Sequence, residues 1–196
     1  MDLQMSLFIL FSLFTAGYSL SCYDCMSPSG SCAQTSQCVT GFTNCFSATV
    51  TVNSTTVKVK SCAPSVCPSG SINLGIGKGS YLCCSTDLCN AQDAPDPSTN
   101  APNGKSCYYC DGQSCSSKLS CLGTEDRCFN ATVTIGVQSQ VFKGCVSKSL
   151  CDATTTLLPG VGSVSCCEGN LCNSAKSVTQ SFLFLCCSLL SFILLH

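Results

Sequence analysis

The chain has 196 residues, 22 of them cysteine, with nine basic and ten acidic side chains and a formal net charge of −1. This cysteine content is typical of a disulfide scaffold, and the charge balance lacks the basic excess that nucleic-acid binding needs. The single histidine is the last residue, His196, so a serine or cysteine nucleophile would lack its usual base. We therefore expect no enzyme, no catalytic residue, no cofactor and no nucleic-acid partner.

The N-terminus resembles a secretory signal peptide. An apolar run at 7–14 is followed by small residues that include Gly17 and Ser19, which predicts a signal peptide over 1–19 with cleavage after Ser19. Asp2 replaces the usual basic residue, and an uncleaved membrane anchor is the alternative. The run is shorter than the roughly 20 apolar residues that span a bilayer. Passage through the secretory pathway would favour paired cysteines.

Twenty of the cysteines form two sets of ten, whose matched members are 83 to 85 residues apart. The text between them repeats as well: residues 44–52 match 127–135, and both sets close with Leu-Cys-Asn. Self-similarity over this length indicates a duplicated domain. We predict a first domain over 20–90 and a second over 105–173, joined by a Pro-rich linker over 91–104 that forms an extended, poorly packed spacer.

The pattern between the cysteines favours β-structure. Alternating apolar and polar residues predict strands at 46–52, 55–62, 128–135 and 138–145. Turns are expected at Asn53-Ser54 and at Gly136, with short strands near the first and last cysteines of each domain. The segments 68–79 and 152–162 are rich in glycine and small residues and are predicted to be long loops. The adjacent acidic pair Glu125-Asp126 is interpreted as a solvated turn.

The C-terminus carries a second apolar stretch at 182–195, after small residues at 173–175 and a short polar spacer. This order predicts a glycosylphosphatidylinositol (GPI) attachment signal over 174–196 that is removed from the mature protein. Asn173 is the first choice for the attachment residue, and Ser174 is the second. A tail-anchoring transmembrane helix is the alternative.

Two motifs carry a family resemblance. Each domain opens with Cys-x-x-Cys and closes with Cys-Cys-x-x-x-x-Cys-Asn. In a cytosolic chain Cys-x-x-Cys could be a zinc or redox site, but the predicted secretory route favours disulfides, and we expect no metal. The pattern resembles the lymphocyte antigen 6 / urokinase receptor superfamily of three-finger (LU) domains. The resemblance covers 20–90 and 105–173.

The resemblance implies an all-β, disulfide-rich fold of two tandem three-finger domains with five disulfides each. The implied pairs are Cys22-Cys45, Cys25-Cys32, Cys38-Cys62, Cys67-Cys83 and Cys84-Cys89, then Cys107-Cys128, Cys110-Cys115, Cys121-Cys145, Cys151-Cys166 and Cys167-Cys172. It also implies that Asn90 and Asn173, after the last cysteine of each domain, tie the chain end to the central strands.

Two sequons, at Asn53 and Asn130, predict N-glycosylation. Exposed apolar residues on loops often mark partner sites, and the candidates here are Ile72, Leu74, Ile76, Leu157, Leu158 and Val161. They could equally fold back onto the disulfide hub.

Three functions are considered. The first is a GPI-anchored surface protein that presents its fingers to an extracellular protein partner. The second is a soluble two-domain inhibitor of a secreted enzyme, similar to gamma-type phospholipase inhibitors. Modulation of a ligand-gated channel is the third, and the nearly neutral finger tips argue against it.

Overall fold

A computed structural model describes residues 19–28, 32–135, 137–157 and 161–174. The predicted signal sequence before Ser19, the turn at Gly136, the candidate contact Leu158 and the tail after Ser174 lie outside these ranges. Within the described part of the chain, no helix is long and apolar enough to cross a membrane.

Strands dominate the structure, which confirms the predicted all-β, disulfide-rich fold class. They are β1 (Ser21–Tyr23), β2 (Cys25–Ser27), β3 (Thr35–Gln37), β4 (Asn44–Val52), β5 (Thr55–Ala63), β6 (Gly70–Asn73), β7 (Gly77–Cys84), β8 (Pro102–Tyr109), β9 (Ser117–Leu122), β10 (Arg127–Ile135), β11 (Gln138–Val146) and β12 (Val161–Cys167). One α-helix, α1 (Lys148–Leu157), and 3₁₀ turns at Cys89–Ala91 and Pro97–Thr99 complete the described elements.

The strands form one large sheet and two small ones, and all pairings are antiparallel. The large sheet has eight strands in the order β12-β10-β11-β6-β7-β4-β5-β2, while β1 pairs with β3 and β8 with β9. The third finger of the first domain is therefore hydrogen-bonded to the second finger of the second domain through β6 and β11. The two domains share a continuous sheet.

The long second fingers follow the predicted alternation. In the first domain β4 and β5 pair from Asn44 with Ala63 to Val52 with Thr55, which leaves the two-residue turn Asn53-Ser54. Both turn residues have positive φ, 47° and 66°. Positive φ at both central positions defines a type I′ turn, whose twist matches that of the strands. The predicted strands and this turn are confirmed.

Disulfides supply most of the core. Ten are formed, and they join the cysteine pairs that the family resemblance implies. In each domain two of them stack at the hub, with Cys22 Sγ 3.2 Å from Cys38 Sγ and Cys107 Sγ 3.3 Å from Cys121 Sγ. Domains of this size bury little apolar surface, so cross-links that restrict the unfolded chain carry much of their stability.

The loop predicted at 152–162 is partly wrong, because α1 covers its first half. The helix begins after Ser147, whose carbonyl accepts the Cys151 N–H, and Asp126 Oδ1 accepts the Lys148 N–H at 2.8 Å. An ion pair between Lys148 and Asp152 supports it at the helical spacing i,i+4. The run of threonines in this segment lowers helix propensity and hides the helix from sequence patterns.

The loop predicted at 68–79 is also wrong. Strand β6 and the start of β7 form a hairpin there, from Gly70 paired with Tyr81 to Asn73 paired with Lys78. Neighbouring strands complete the hairpin on both sides, β4 next to β7 and β11 next to β6. A glycine-rich segment becomes a strand here because of those tertiary neighbours.

The linker is not the unpacked spacer that its composition suggests. It lies across the first domain, where Lys60 Nζ donates to the Ala91 carbonyl at 2.5 Å and Thr49 Oγ1 to the Ala94 carbonyl at 2.6 Å. Ser80 Oγ donates to the carbonyl of Pro95. Ala94 and Pro97 are buried. The linker is thus part of the first domain's fold, and β8 already begins at Pro102.

Candidate partner-binding surface

Asn90 and Asn173, which follow the last cysteine of each domain, attach the C-terminal end of that domain to its strands. Asn90 Oδ1 accepts the Tyr23 N–H at 3.0 Å, and its Nδ2 donates to the carbonyls of Tyr23 at 3.0 Å and Phe46 at 2.9 Å. Asn173 makes the equivalent three bonds, to Tyr108 N–H and to the carbonyls of Tyr108 and Phe129. Each asparagine therefore joins the last disulfide loop to the first strand and to the central strand of its domain.

The hub cysteines also form two sulfur clusters of metal-site dimensions. Cys22, Cys38 and Cys62, and likewise Cys107, Cys121 and Cys145, place their sulfurs within 4.8 Å of one another. Every one of these sulfurs is in a disulfide. Metal binding by cysteine requires thiolates, so the clusters are packing features of the hub.

The acidic pair Glu125-Asp126 is not the solvated turn that the sequence suggests. Glu125 is fully buried and its Oε2 accepts the Leu122 N–H at 2.8 Å. Asp126 is ion-paired with Arg127 and accepts the Lys148 N–H. The two carboxyl groups thus have separate partners.

Two candidate contact residues are partly buried between the domains. Ile72 and Leu74 pack against the second domain, in a cluster centred on Phe129, Val146 and Cys151. Sequence analysis weighed an exposed loop position against packing on the hub of their own domain, and it did not foresee this contact between the domains. Part of each side chain stays accessible, and both remain predicted partner contacts.

The seam between the domains, formed by β6, β11 and the loop between β9 and β10, is closely packed at two glycines. A Cβ atom added at Gly75 would meet the Tyr109 ring, and one added at Gly144 would meet the Asn73 carbonyl, both at under 3.0 Å. The repeat equivalent of Gly144 in the first domain is Ser61, next to Cys62. That replacement is one difference between the two repeats that coincides with the seam.

Further hydrogen bonds lie along the seam, and most of them involve a serine hydroxyl. The Ser147 N–H donates to the Ser71 carbonyl and the Ser71 N–H to Ser147 Oγ, both at 2.9 Å. Thr124 Oγ1 lies 2.9 Å from Ser147 Oγ, and Ser149 Oγ donates to the Ser69 carbonyl at 2.6 Å. The bonds of Ser71 and Ser69 cross between the domains and orient them. The Thr124 contact fixes the Ser147 hydroxyl within the second domain.

Ile76 stays accessible, and a second exposed apolar residue that sequence analysis did not select lies near it at the tip of the neighbouring finger. The exposed fraction of Ile76 is 53%, and that of Val52 at the tip of the second finger is 46%. Val52 pairs with Gly77, the residue after Ile76. We call Val52 and Ile76 the fingertip patch. The pairing of β4 with β7 extends to Val52 and Gly77 and holds the two tips side by side.

The remaining candidates are near the end of α1 and the start of β12. Leu157 is the last residue of the helix and Val161 the first of the strand. The structure places this pair in the third finger of the second domain, apart from the fingertip patch in sequence and in strand order.

The two sequons differ in their surroundings. Asn53 is exposed in the turn beside Val52. Asn130 is half-buried in the central strand β10, between Lys143 and Ser165 of the flanking strands. Its Oδ1 is buried and makes no hydrogen bond within the described residues. Both remain predicted glycosylation sites.

The fold and the hub define a disulfide-rich protein of two three-finger domains. A family profile described as "Snake toxin and toxin-like protein" matches residues 20–90 and 106–173. The chain belongs to this family, and to the lymphocyte antigen 6 / urokinase receptor superfamily that the cysteine spacing suggested.

The relatives include receptors and inhibitors. The urokinase plasminogen activator surface receptor of Rattus norvegicus is 31% identical over 82% of this chain and 56% of its own length. The receptor of Bos taurus is 36% identical over 46% of this chain and 31% of its own length. Phospholipase A2 inhibitor LNF2 of Lachesis muta muta is 30% identical over 74% of this chain and 85% of its own length. The chain thus spans between a third and somewhat over half of the receptors it matches.

Proposed function

We propose that this protein is a GPI-anchored cell-surface binding protein that presents the fingertip patch to an extracellular protein partner. The observation that carries the proposal is the exposed pair Val52 and Ile76 on two fingers whose bases are held by disulfides and by the seam. Apolar side chains on rigid projections bind without a large loss of conformational entropy. Binding rather than catalysis also agrees with relatives named as receptors and inhibitors.

The proposal of a lipid anchor is based on the sequence after Asn173. Attachment requires an accessible stretch of chain, whereas the Asn173 side chain is buried and makes three hydrogen bonds. Ser174 is exposed, and attachment to its main-chain carboxyl would place the lipid one residue beyond the buried asparagine. We therefore favour Ser174 over Asn173, which reverses the order given by the small residues at the two positions after Asn173.

Phosphatidylinositol-specific phospholipase C tests the anchor on expressing cells. Release of the protein into the medium is the expected result, and mass spectrometry of the released C-terminal peptide would identify the attachment residue. Protein that resists release and stays in the membrane would indicate a tail helix. Protein already present in the medium before treatment would contradict the anchor.

Substitution of the patch tests the binding surface. The soluble two-domain protein, multimerised for avidity, is screened against displayed extracellular proteins, and each binder is retested with Ile76→Asp. We expect binding to be lost in Ile76→Asp and kept in Val39→Asp, a matched control whose side chain is 69% exposed near the base of the first domain. A binder that tolerates Ile76→Asp would place the site elsewhere.

A second function is supported by the relatives' lengths. The match with inhibitor LNF2 covers 85% of that protein, whereas the match with the rat receptor covers 56%. A soluble inhibitor of a secreted phospholipase A2 would need no anchor. Inhibition of such an enzyme by the purified two-domain protein, together with protein secreted without lipase treatment, would favour this alternative.

A further inference from the structure

Two polar atoms face the seam without hydrogen bonds. Glu125 and Asn73 are 0% and 1% exposed. Within the described residues, Glu125 Oε1 and Asn73 Nδ2 have no hydrogen-bond partner. A buried polar atom without a partner is costly, and this pair lies where the two domains meet.

The turn that contains Glu125 has an equivalent in the first domain, and that equivalent has no carboxyl group. In the first domain its repeat equivalent is Phe42, whose N–H donates to the Val39 carbonyl at 3.0 Å, just as the Glu125 N–H donates to the Leu122 carbonyl at 3.0 Å. Phe42 is exposed at the surface, while Glu125 is covered by the other domain. The turn therefore does not need a carboxyl group to form, and Glu125 occurs at the place where the other domain packs against the turn.

The groups around Glu125 set its environment. The Leu122 N–H donates to the carboxyl group and favours its charged form. Ser71, Lys78 and Asn73 act in the same direction from the first domain, although the Asn73 Nδ2 lies near the carboxyl group without the geometry of a hydrogen bond. Other charged groups near the loop are already engaged, since Asp126 is paired with Arg127 and Lys148 with Asp152. The loop backbone is fixed as well, because Asn103 Nδ2 donates to the Glu125 carbonyl at 3.0 Å.

A cavity of about 530 Å³ adjoins the seam. Residues of both domains line it, including Ser71 and Tyr81 from the first and Thr124, Asp126 and Ser147 from the second. Three of these residues either flank Glu125 in sequence or contact it. The cavity gives water a short route to the carboxyl group when the domains separate.

We propose that Glu125 makes the docking of the two domains dependent on pH, so that they are held together when its carboxyl group is protonated and loosen when it ionises. The protonated carboxyl fits this buried position, whereas a carboxylate there has lost its hydration without gaining, among the described residues, a cation within hydrogen-bond distance. Separation of the domains exposes the group to water, which stabilises the charged form.

The direction of the effect follows from linkage. Burial outweighs the favourable neighbours and raises the pKa of Glu125 from 4.5 to about 7. A carboxyl group with a raised pKa favours the docked state below its ordinary pKa, and this preference is lost as the pH rises from 4.5 towards 7. With these two values, the open-to-docked ratio increases roughly 70-fold between pH 5 and pH 8.

Amide hydrogen exchange of the full two-domain protein tests the proposal. The Ser147 and Ser71 amides report on the seam, and amides of the β4–β5 hairpin serve as the internal reference. After correction for intrinsic exchange, we expect seam protection to fall by roughly 70-fold from pH 5 to pH 8, while hairpin protection stays constant. Seam protection that does not change with pH would overturn the proposal.

Two variants test whether Glu125 causes the pH dependence of seam protection. Glu125→Gln keeps the shape and an oxygen for the Leu122 N–H but cannot ionise, so its seam protection should be independent of pH. If Glu125→Gln does not fold, Lys78→Gln provides the test: loss of this positive charge should move the transition to higher pH. A transition that persists in Glu125→Gln, or that stays in place in Lys78→Gln, would show that another group is responsible.

Discussion

Gly144 in the second domain lies directly against the carbonyl oxygen of Asn73 in the first, with no room for a Cβ atom between them. The neighbouring residue Cys145 pairs with Asn73 in the register of β11 and β6. The absence of a side chain at position 144 is what allows the two domains to share a sheet.

Gly144→Ala should open the seam. The new methyl group would meet backbone atoms of Asn73, which cannot rotate away, and such overpacking costs about 1–3 kcal/mol. We expect faster exchange of the Ser71 and Ser147 amides and a larger radius of gyration by small-angle scattering, with all ten disulfides still formed.

Gly77→Ala is the matched control for that substitution. Its methyl group would meet the end of the Val52 side chain at 3.1 Å and the Thr51 carbonyl at 3.5 Å. A side chain at the exposed fingertip can adjust, so the seam should be unaffected. Equal seam opening in both variants would mean that the close contact at Gly144 is not decisive.

Asn90→Asp should destabilise the first domain. The variant keeps the acceptor for the Tyr23 N–H but replaces the amide donor with an oxygen that faces the carbonyls of Tyr23 and Phe46. Loss of two buried hydrogen bonds and repulsion between oxygens should lower the free energy of unfolding by about 2–4 kcal/mol. Thermal unfolding under non-reducing conditions measures the loss.

Asn170→Asp is the control for Asn90→Asp. Asn170 accepts the Ser106 N–H through Oδ1 at 3.1 Å, and its repeat equivalent Asp87 accepts the Ser21 N–H in the same way. The stability of this control should be close to that of the wild type. A comparable loss in both variants would indicate a general effect of added negative charge.

Asn53→Gln should remove one glycan. Asn53 is exposed in a type I′ turn at a finger tip. A glycan there would lie next to Val52, so Ile76 is the part of the fingertip patch that stays open to a partner in the glycosylated protein. Electrophoresis before and after glycosidase treatment should show one step fewer than in the wild type. Asn130→Gln is the comparison, and unchanged migration of Asn53→Gln would contradict use of the first sequon.

The sequence predicted what local patterns encode. The alternation of residues in β4 and β5 and the Asn53-Ser54 turn are local signals, and the cysteine spacing led to the family and its hub. The seam was not predicted, because the pairing of β6 with β11 joins residues that are more than 70 positions apart in the sequence. Glu125 looked like an exposed acid for the same reason: its burial depends on a domain about 50 residues away in sequence.

The packing of the linker was not predicted from the sequence, because the residues that it contacts lie on another part of the chain. Composition shows prolines and small polar residues in 91–104, which favour an extended spacer. It does not show that Lys58 and Lys60 on β5 both reach Asp93, at 2.7 and 3.0 Å. The packing of the linker therefore depends on charges that only the folded hairpin brings together.

Asp93→Asn should loosen the linker in a pH-dependent way. The hydrogen bond from Lys58, assisted by Lys60, holds the pKa of Asp93 below its ordinary value. A lowered carboxyl pKa gives stability that is present above the unfolded pKa and is lost as the pH falls through the folded one. At pH 7 the variant should lose about 1–2 kcal/mol, because the buried Lys60 ammonium loses its anionic partner and keeps the Ala91 carbonyl and the Tyr23 ring. The difference from wild type should shrink as the pH is lowered below about 4.

Asp152→Asn is the control, since its ion pair with Lys148 is exposed and contributes only about 0.5 kcal/mol. Unfolding measured from pH 3 to pH 7 checks both, and a pH-independent difference for Asp93→Asn would mean that the ion pairs do not hold the linker.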